Sequence, residues 1–270
     1  MKTAIINGKI ITPHRILDQA SLVMEDGVIE GIVKGRKPEA DCYIDAQGSY
    51  VSPGFIDIHT HGGGGYDFMD GTPDAIIKAC MAHLAHGTTS ICPTTLTCTD
   101  EELLTFFDCY REARKQMENG PELLGIHLEG PYFSLEQRGA QDPQYIKVPA
   151  KDDYKKLLDA SDDIIRMSAA PELEGAMELA DELKARGILA SIGHSDATYD
   201  HVIEAWERGY THVTHLYSGM STIRRINAYR HLGVIESAYL IDGMTVEIIA
   251  DGKHLPPELL RFIVKMKPVE

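Results

Sequence analysis

Five side chains in this sequence have the types and spacing to hold metal ions. His59-Thr60-His61 closes an apolar run, residues 55–58, and opens onto Gly62-Gly63-Gly64-Gly65. On a strand, residues i and i+2 point to the same side, so both imidazoles can reach one cation. The four glycines let the backbone turn sharply beneath whatever binds there. Glu129, His194 and His215 recur further along, each at the end of a later predicted strand. A lone His-x-His is more often a pair of polar loop residues, and it is the recurrence that gives this one meaning. Imidazole and carboxylate ligands suit zinc or iron, and five of them are enough for two ions sharing a bridging carboxylate.

Something must carry these residues to one place. Up to residue 51 the chain reads as short apolar pieces punctuated by Asn7-Gly8, Asp26-Gly27 and Gln47-Gly48, which are hairpin signals. A small β-domain over residues 1–52 follows, joined to the next unit by Ser52-Pro53-Gly54. Beyond it strands alternate with helices. The pattern predicts a buried strand into His59, then strands over 88–92, 123–128, 164–169, 189–192, 211–214 and 246–250. Helices are predicted over 72–85, from a capping box at Thr99-Asp100-Glu101-Glu102 to Gly120-Pro121, over 173–186, 199–208 and 256–266. A long loop, residues 132–149, leaves the third strand and holds Arg138-Gly139-Ala140-Gln141. Every candidate ligand falls at a strand's C-terminal end, where a (β/α)8 barrel keeps its active site. The expected fold is α/β, a TIM-type barrel over 53–270 with a small N-terminal β-domain. Seven strands are counted, so strand 8 is expected to be lacking in this chain.

Composition narrows the function classes. Apolar residues make up 43% and charged residues 25% of the 270, ordinary for a soluble globular protein of enzyme size. The formal charge of -15 argues against nucleic acid as a partner, and an anionic substrate would need a local basic pocket. Five cysteines, Cys42, Cys80, Cys92, Cys98 and Cys109, form no Cys-x-x-Cys, which points to a reduced, cytoplasmic setting. The N-terminal apolar run is too short for a signal peptide, no stretch reaches a membrane span, and no membrane partner is expected.

The sequence resembles the metal-dependent amidohydrolases, and within them the N-acetylglucosamine-6-phosphate deacetylases. The resemblance covers essentially the whole chain. It is carried by Pro53-Gly54-Phe55-Ile56-Asp57-Ile58-His59-Thr60-His61-Gly62, His127-Leu128-Glu129-Gly130-Pro131, Gly193-His194-Ser195, Thr214-His215-Leu216-Tyr217 and Ile249-Ala250-Asp251-Gly252-Lys253-His254. His-Leu-Glu-Gly-Pro is the most specific piece, since most other amidohydrolases bridge their metals with a carboxylated lysine from strand 4, and strand 4 here ends in Ala169-Ala170-Pro171.

The resemblance implies that Glu129, His194 and His215 form the main metal site and His59 with His61 a second one. It implies one or two zinc or iron ions per subunit, metal-assisted hydrolysis of an N-acetyl group, and a homodimer acting on a small sugar phosphate. Ala140 and Gln141 would meet the acetyl group, with Gln141 polarising its carbonyl. Ser218, Gly219, His254 and an arginine would take the sugar phosphate. Arg230 fits that arginine best, with Arg224 and Arg225 as rivals. Family members commonly carry Asn-Ala where Ser218-Gly219 stands, and some carry histidine at the place of Gln141.

One departure matters most. The family's proton-shuttling aspartate ends strand 8, and nothing of that kind follows Met266. The expectation is that the chain is part of a longer protein rather than a natural short form, because an open barrel leaves two unpaired strand edges. Asp251 reads as a turn residue rather than a substitute base. His83 and His86 share a helix face without a completed ligand set, and the four glycines are no P-loop, since no Gly-Lys-Ser/Thr follows. Two function classes remain: a deacetylase of N-acetylamino-sugar phosphates or another amidohydrolase of a cyclic or N-acyl substrate, and a non-hydrolytic metal-binding barrel fragment.

Overall fold

The computed structural model describes residues 1–267. The chain forms two compact units, Met1–Phe55 and the residues from Ile56 onward.

The first unit is one sheet built from β1 (Lys2–Ile11), β2 (Ile16–Glu25), β3 (Val28–Lys34), β4 (Cys42–Asp45) and β5 (Tyr50–Val51). Its order is β3-β2-β1-β4, with β5 also on β1. Asp26 and Gly27, at φ 49° and 82°, form the tight turn the sequence predicts between β2 and β3. The other two turn signals play different parts. Asn7-Gly8 lies inside β1, where Asn7 at φ 56° marks an irregularity in the β1–β2 register and not a chain reversal. Gln47-Gly48 does turn the chain, but β4 and β5 on either side both run parallel along β1 instead of pairing with each other. Ile10, Leu17, Ala20 and Val51 make its small core.

The second unit carries β6 (Phe55–Thr60), which starts on the last residue of the first. It continues with β7 (Gly62–Gly63), β8 (Tyr66–Asp67), α1 (Pro73–Leu84), β9 (Thr88–Pro93), α2 (Asp100–Gln116), β10 (Glu122–Leu123) and β11 (Ile126–Glu129). Then come α3 (Lys151–Asp159), β12 (Ile164–Ala169), α4 (Ala176–Ala185), β13 (Leu189–Ile192), α5 (Tyr199–Arg208) and β14 (Tyr210–Val213). The last elements are β15 (Arg224–Ile226), β16 (Tyr229–His231), α6 (Val234–Leu240), β17 (Thr245–Val246) and α7 (Pro257–Met266). Strand β6 lies beside β9, β9 is bridged to β11 through Thr94 and His127, and β11-β12-β13-β14-β17 continue in chain order. Seven neighbouring strands with helices between them are the arrangement of a TIM-type barrel wall. Among the described residues no further strand follows β17.

Local chemistry explains the helix starts. Thr72 accepts the Ala75 N–H ahead of Pro73, and Thr99 and Glu102 exchange both bonds of a capping box. Helix α5 stops at Gly209, φ 125°.

Several elements differ from the sequence expectation. The strand expected over 123–128 is split, because Gly125 at φ 147° breaks it: β10 pairs with β9 and β11 with β12. A Cβ at Gly125 would lie 2.5 Å from Ile165 Cγ2, so no other residue fits that break. The strand expected over 246–250 shrinks to Thr245–Val246, since nothing pairs with its outer edge among the described residues. Strand β6, expected to be buried, leaves Phe55, Ile56 and Ile58 exposed, and its sheet order places β9 on one side only. The four glycines form a hairpin, β7–β8, with Gly64 and Gly65 in its turn. Helices α3 and α6 and the β15–β16 ribbon stand where the sequence pattern predicts no element, being too short for periodicity to reveal.

Candidate metal centre

Glu129 ends β11 and is 2% exposed. Its backbone N–H is held by Thr95 Oγ1 at 3.1 Å, and its carboxylate faces four imidazoles. Oε1 lies 3.1 Å from His215 Nε2 and 3.3 Å from both His194 Nε2 and His59 Nε2, and Oε2 lies 3.3 Å from His61 Nε2. All five ligand candidates are thus brought together, as two groups sharing Glu129: His59, His61 and Glu129, and Glu129, His194 and His215.

For three of the rings the far side decides what the near side can do. His194 Nδ1 lies 2.9 Å from the Gln137 carbonyl and His61 Nδ1 3.3 Å from the Thr94 carbonyl. A carbonyl oxygen only accepts, so these Nδ1 atoms carry the proton and donate it. His59 Nδ1 donates in the same way to Glu247 Oε1 at 2.6 Å. With a cation bound, each of these three rings, protonated on Nδ1, would aim a bare Nε2 lone pair at the site beside Glu129. His194 Nε2 and His215 Nε2 are also only 3.1 Å apart, and two N–H donors cannot face one another at that distance. Four imidazole nitrogens and a carboxylate converging on one space form a donor set that a divalent cation fits.

In the metal-free site the same contacts shift both partners. Burial alone would push the Glu129 carboxyl up, yet the imidazoles of His194, His215, His59 and His61 hold it well below the usual carboxylate range. Burial likewise works against a charged His59, but Glu129 and Glu247 outweigh it and raise the ring to about 9.

Beneath the ligands lies a polar layer. Glu247 also accepts from Arg166 Nη1 at 2.6 Å and from the His215 backbone N–H at 2.8 Å. Arg166 Nη2 donates to Thr214 Oγ1, which in turn meets Ser168 and Ser191. His127 joins through Ser168 at 2.7 Å, its pKa driven well down by burial, then by Arg166 and His59. Glu247 and Arg166 went unremarked in the sequence, although each is a lone charge inside an apolar strand run. That is the signal that could have found them.

The other candidates divide. Gln141 is buried beside the centre, where its Nε2 donates to Glu129 Oε2 at 3.0 Å and its Oε1 accepts the Thr97 N–H at 2.9 Å. Gly219 packs against His194, with a Cβ there lying 3.0 Å from His194 Nδ1. Ser218 donates its N–H to the His215 carbonyl. Ala140 is exposed. Arg224 is committed to Asp196, through its side chain and its carbonyl, whereas Arg225 and Arg230 stand opposite each other on the exposed β15–β16 ribbon. His254 is exposed and bonded to Asp251, which also accepts the N–H groups of Lys253 and His254. His83 bonds the Gly62 carbonyl and Thr60, bracing the segment that carries His59 and His61.

Residues 50–268 match the amidohydrolase family. The chain belongs to it. This amidohydrolase chain is 34% identical to N-acetylglucosamine-6-phosphate deacetylase of Haemophilus influenzae, over 99% of its own length and 69% of the relative's. It is 31% identical to N-acetylgalactosamine-6-phosphate deacetylase of Escherichia coli O157:H7, over 92% of itself and 64% of that protein. Among solved structures, N-acetylglucosamine-6-phosphate deacetylase from Pasteurella multocida superposes with a TM-score of 0.89 at 32% identity, covering 99% of this chain and 69% of that one. The amidohydrolase chain thus spans about two thirds of the length of these relatives. No helix among the described residues is long and apolar enough to cross a membrane.

Proposed function

We propose that this chain carries the metal centre of an amide hydrolase that removes the acetyl group from N-acetylglucosamine-6-phosphate, giving glucosamine-6-phosphate and acetate. The observation that carries the reading is the convergence of four imidazole Nε2 atoms on the buried carboxylate of Glu129. Glu129, His194 and His215 would hold one ion, zinc or iron, and His59 and His61 with the shared Glu129 a second. A divalent cation supplies Lewis acidity, which lowers the pKa of a water and polarises an amide carbonyl.

The chain's own residues do the rest. Gln141 orients the Glu129 carboxylate, and its second amide hydrogen is the one left for the substrate's acetyl oxygen, with Ala140 beside it. Gly219, lacking a side chain over His194, leaves room for the sugar, with Ser218 next to it. Arg225 and Arg230 are like charges directly opposite one another, which repel unless an anion lies between them. That supports Arg230 as the phosphate ligand, and the commitment of Arg224 to Asp196 removes a rival. His254 is the remaining substrate contact in this reading, and Asp251, which bonds His254 and the N–H groups of Lys253 and His254, serves as a turn residue rather than a base. A homodimer follows if the exposed ribbon serves a second copy. The five free cysteines support a reducing, cytoplasmic setting.

The test pairs metal analysis with acetate release from N-acetylglucosamine-6-phosphate and N-acetylgalactosamine-6-phosphate, with zinc or iron added. Metal-dependent acetate release that Glu129→Gln abolishes supports deacetylation. Bound metal without release supports the non-hydrolytic reading for this chain, and no bound metal overturns the centre itself.

A further inference from the structure

We propose that Glu247, anchored by Arg166, is the positioning residue that keeps His59 a metal ligand and registers the two halves of the centre against each other. The inference rests on reading the cluster as a metal centre. Three observations carry it.

The first is the tautomer. His59 Nδ1 donates to Glu247 Oε1 at 2.6 Å while His59 Nε2 faces Glu129 Oε1 at 3.3 Å. A carboxylate behind a ligating imidazole fixes which nitrogen is bare and which way the ring points. The second is the turn of His215, a non-glycine residue at φ 30°, a conformation that needs support from its surroundings. Glu247 brackets it at three points: its Oε1 accepts the His215 N–H at 2.8 Å, its carbonyl accepts the Leu216 N–H at 2.9 Å, and its own N–H donates to the Val213 carbonyl at 3.0 Å. One residue therefore holds a ligand of each group.

The third is the anchor. Arg166 Nη1 donates to Glu247 Oε2 at 2.6 Å, with both side chains nearly sealed from solvent. His212 Nε2 lies 3.8 Å from the same oxygen. A buried ion pair is seldom needed for stability, because apolar residues of similar volume commonly replace it without loss. Here it frees Oε1 for His59 and His215 by satisfying Oε2.

The experiment is a cobalt(II) titration of the metal-depleted chain, followed by the visible absorbance of the bound ion and by metal content. The His59–His61 ion is identified as the step that His59→Asn removes. Arg166→Met serves as background, so that no buried cation is left unpaired. Adding Glu247→Leu removes the acceptor, whereas Glu247→Gln retains one without its charge. The expected result is a roughly 10- to 100-fold weaker His59–His61 ion in the leucine variant, a smaller loss at the other ion, and recovery of most of it in the glutamine variant. A structural ion pair would leave the ratio of the two cobalt affinities unchanged, and that outcome overturns the proposal. If the double variants do not fold, ring-15N histidine spectra of the zinc-loaded wild type decide: His59 must carry its proton on Nδ1, and metal on Nδ1 overturns the proposal. A wild type that takes up no cobalt removes the metal reading itself and this inference with it.

Discussion

The two halves of the centre share Glu129 but are built differently. His194 and His215 sit on turns, at φ 47° and 30°, are each 7% exposed, and are held by the Gln137 carbonyl behind the His194 ring and by the Glu247 carboxylate on the His215 backbone N–H. His59 and His61 leave the end of a strand, are half-buried, and depend on acceptors behind their rings, Glu247 and the Thr94 carbonyl. The first group adds burial and loop geometry to its hydrogen bonds, whereas the second rests mainly on the outer hydrogen bonds of its rings. The second should therefore be the easier to lose, because half-buried ligands on a one-sided strand have fewer constraints than ligands packed on all sides.

The largest expected effect erases the comparison. Glu129→Gln removes the shared carboxylate, so both ions should weaken by more than the ~100-fold that follows loss of an outer partner, and metal analysis after dialysis checks this. Next, His215→Ala should strip the deeper ion while leaving His59 and His61 able to hold one weakly, read as one cobalt step in place of two. Removing the anchor alone comes third. Arg166→Met leaves Glu247 buried without its cation and should cost about 3–5 kcal/mol in the metal-free protein, measured by urea unfolding.

A pH series sharpens the contrast further. In metal-free protein His59 is raised from 6.5 to about 9. A raised histidine contributes stability that is fully present below the unfolded value and lost as pH rises through the folded one. Metal-free protein should thus lose stability between about pH 6.5 and 9, by at most on the order of 3 kcal/mol. Metal-loaded protein should move the other way over the acid side of that range, because protons compete for the same nitrogens. Thermal unfolding with and without chelator measures both trends. The smallest expected effect is at Gln141→Ala, which unties Glu129 Oε2 but leaves every ligand present. It should lower affinity for both ions alike by less than ~10-fold, below the range for outer partners that fix a tautomer.

How much of this was legible beforehand depends on the range of the interaction. The candidate ligands are visible because each stands at the end of a strand-like run, and the capping box at Thr99 and the stop at Gly209 are local signals that need no tertiary contact. Asn7-Gly8 misled for the same reason: a local turn signature does not reveal that neighbouring strand β2 holds both sides of it in one strand. Gly125 hid a break, since its cause is Ile165 on the adjacent strand. Glu247 and Arg166 could have been noticed as charges within apolar strands, but not joined, because 81 residues separate them.

The sequence by itself determined the residue types at strand ends, the alternation of strands and helices, and so the barrel class and the set of candidate ligands. Those follow from periodicity and from residues acting on their near neighbours. Only the tertiary structure decided that the Nδ1 atoms of His59, His61 and His194 are tied behind their rings, that Gln141 is bound to Glu129, that Arg224 is spent on Asp196, and that one carboxylate at Glu247 serves both halves of the centre. Each of these is a hydrogen bond between residues far apart in the chain. Its direction is set by what the partner can accept once the barrel has brought the two together.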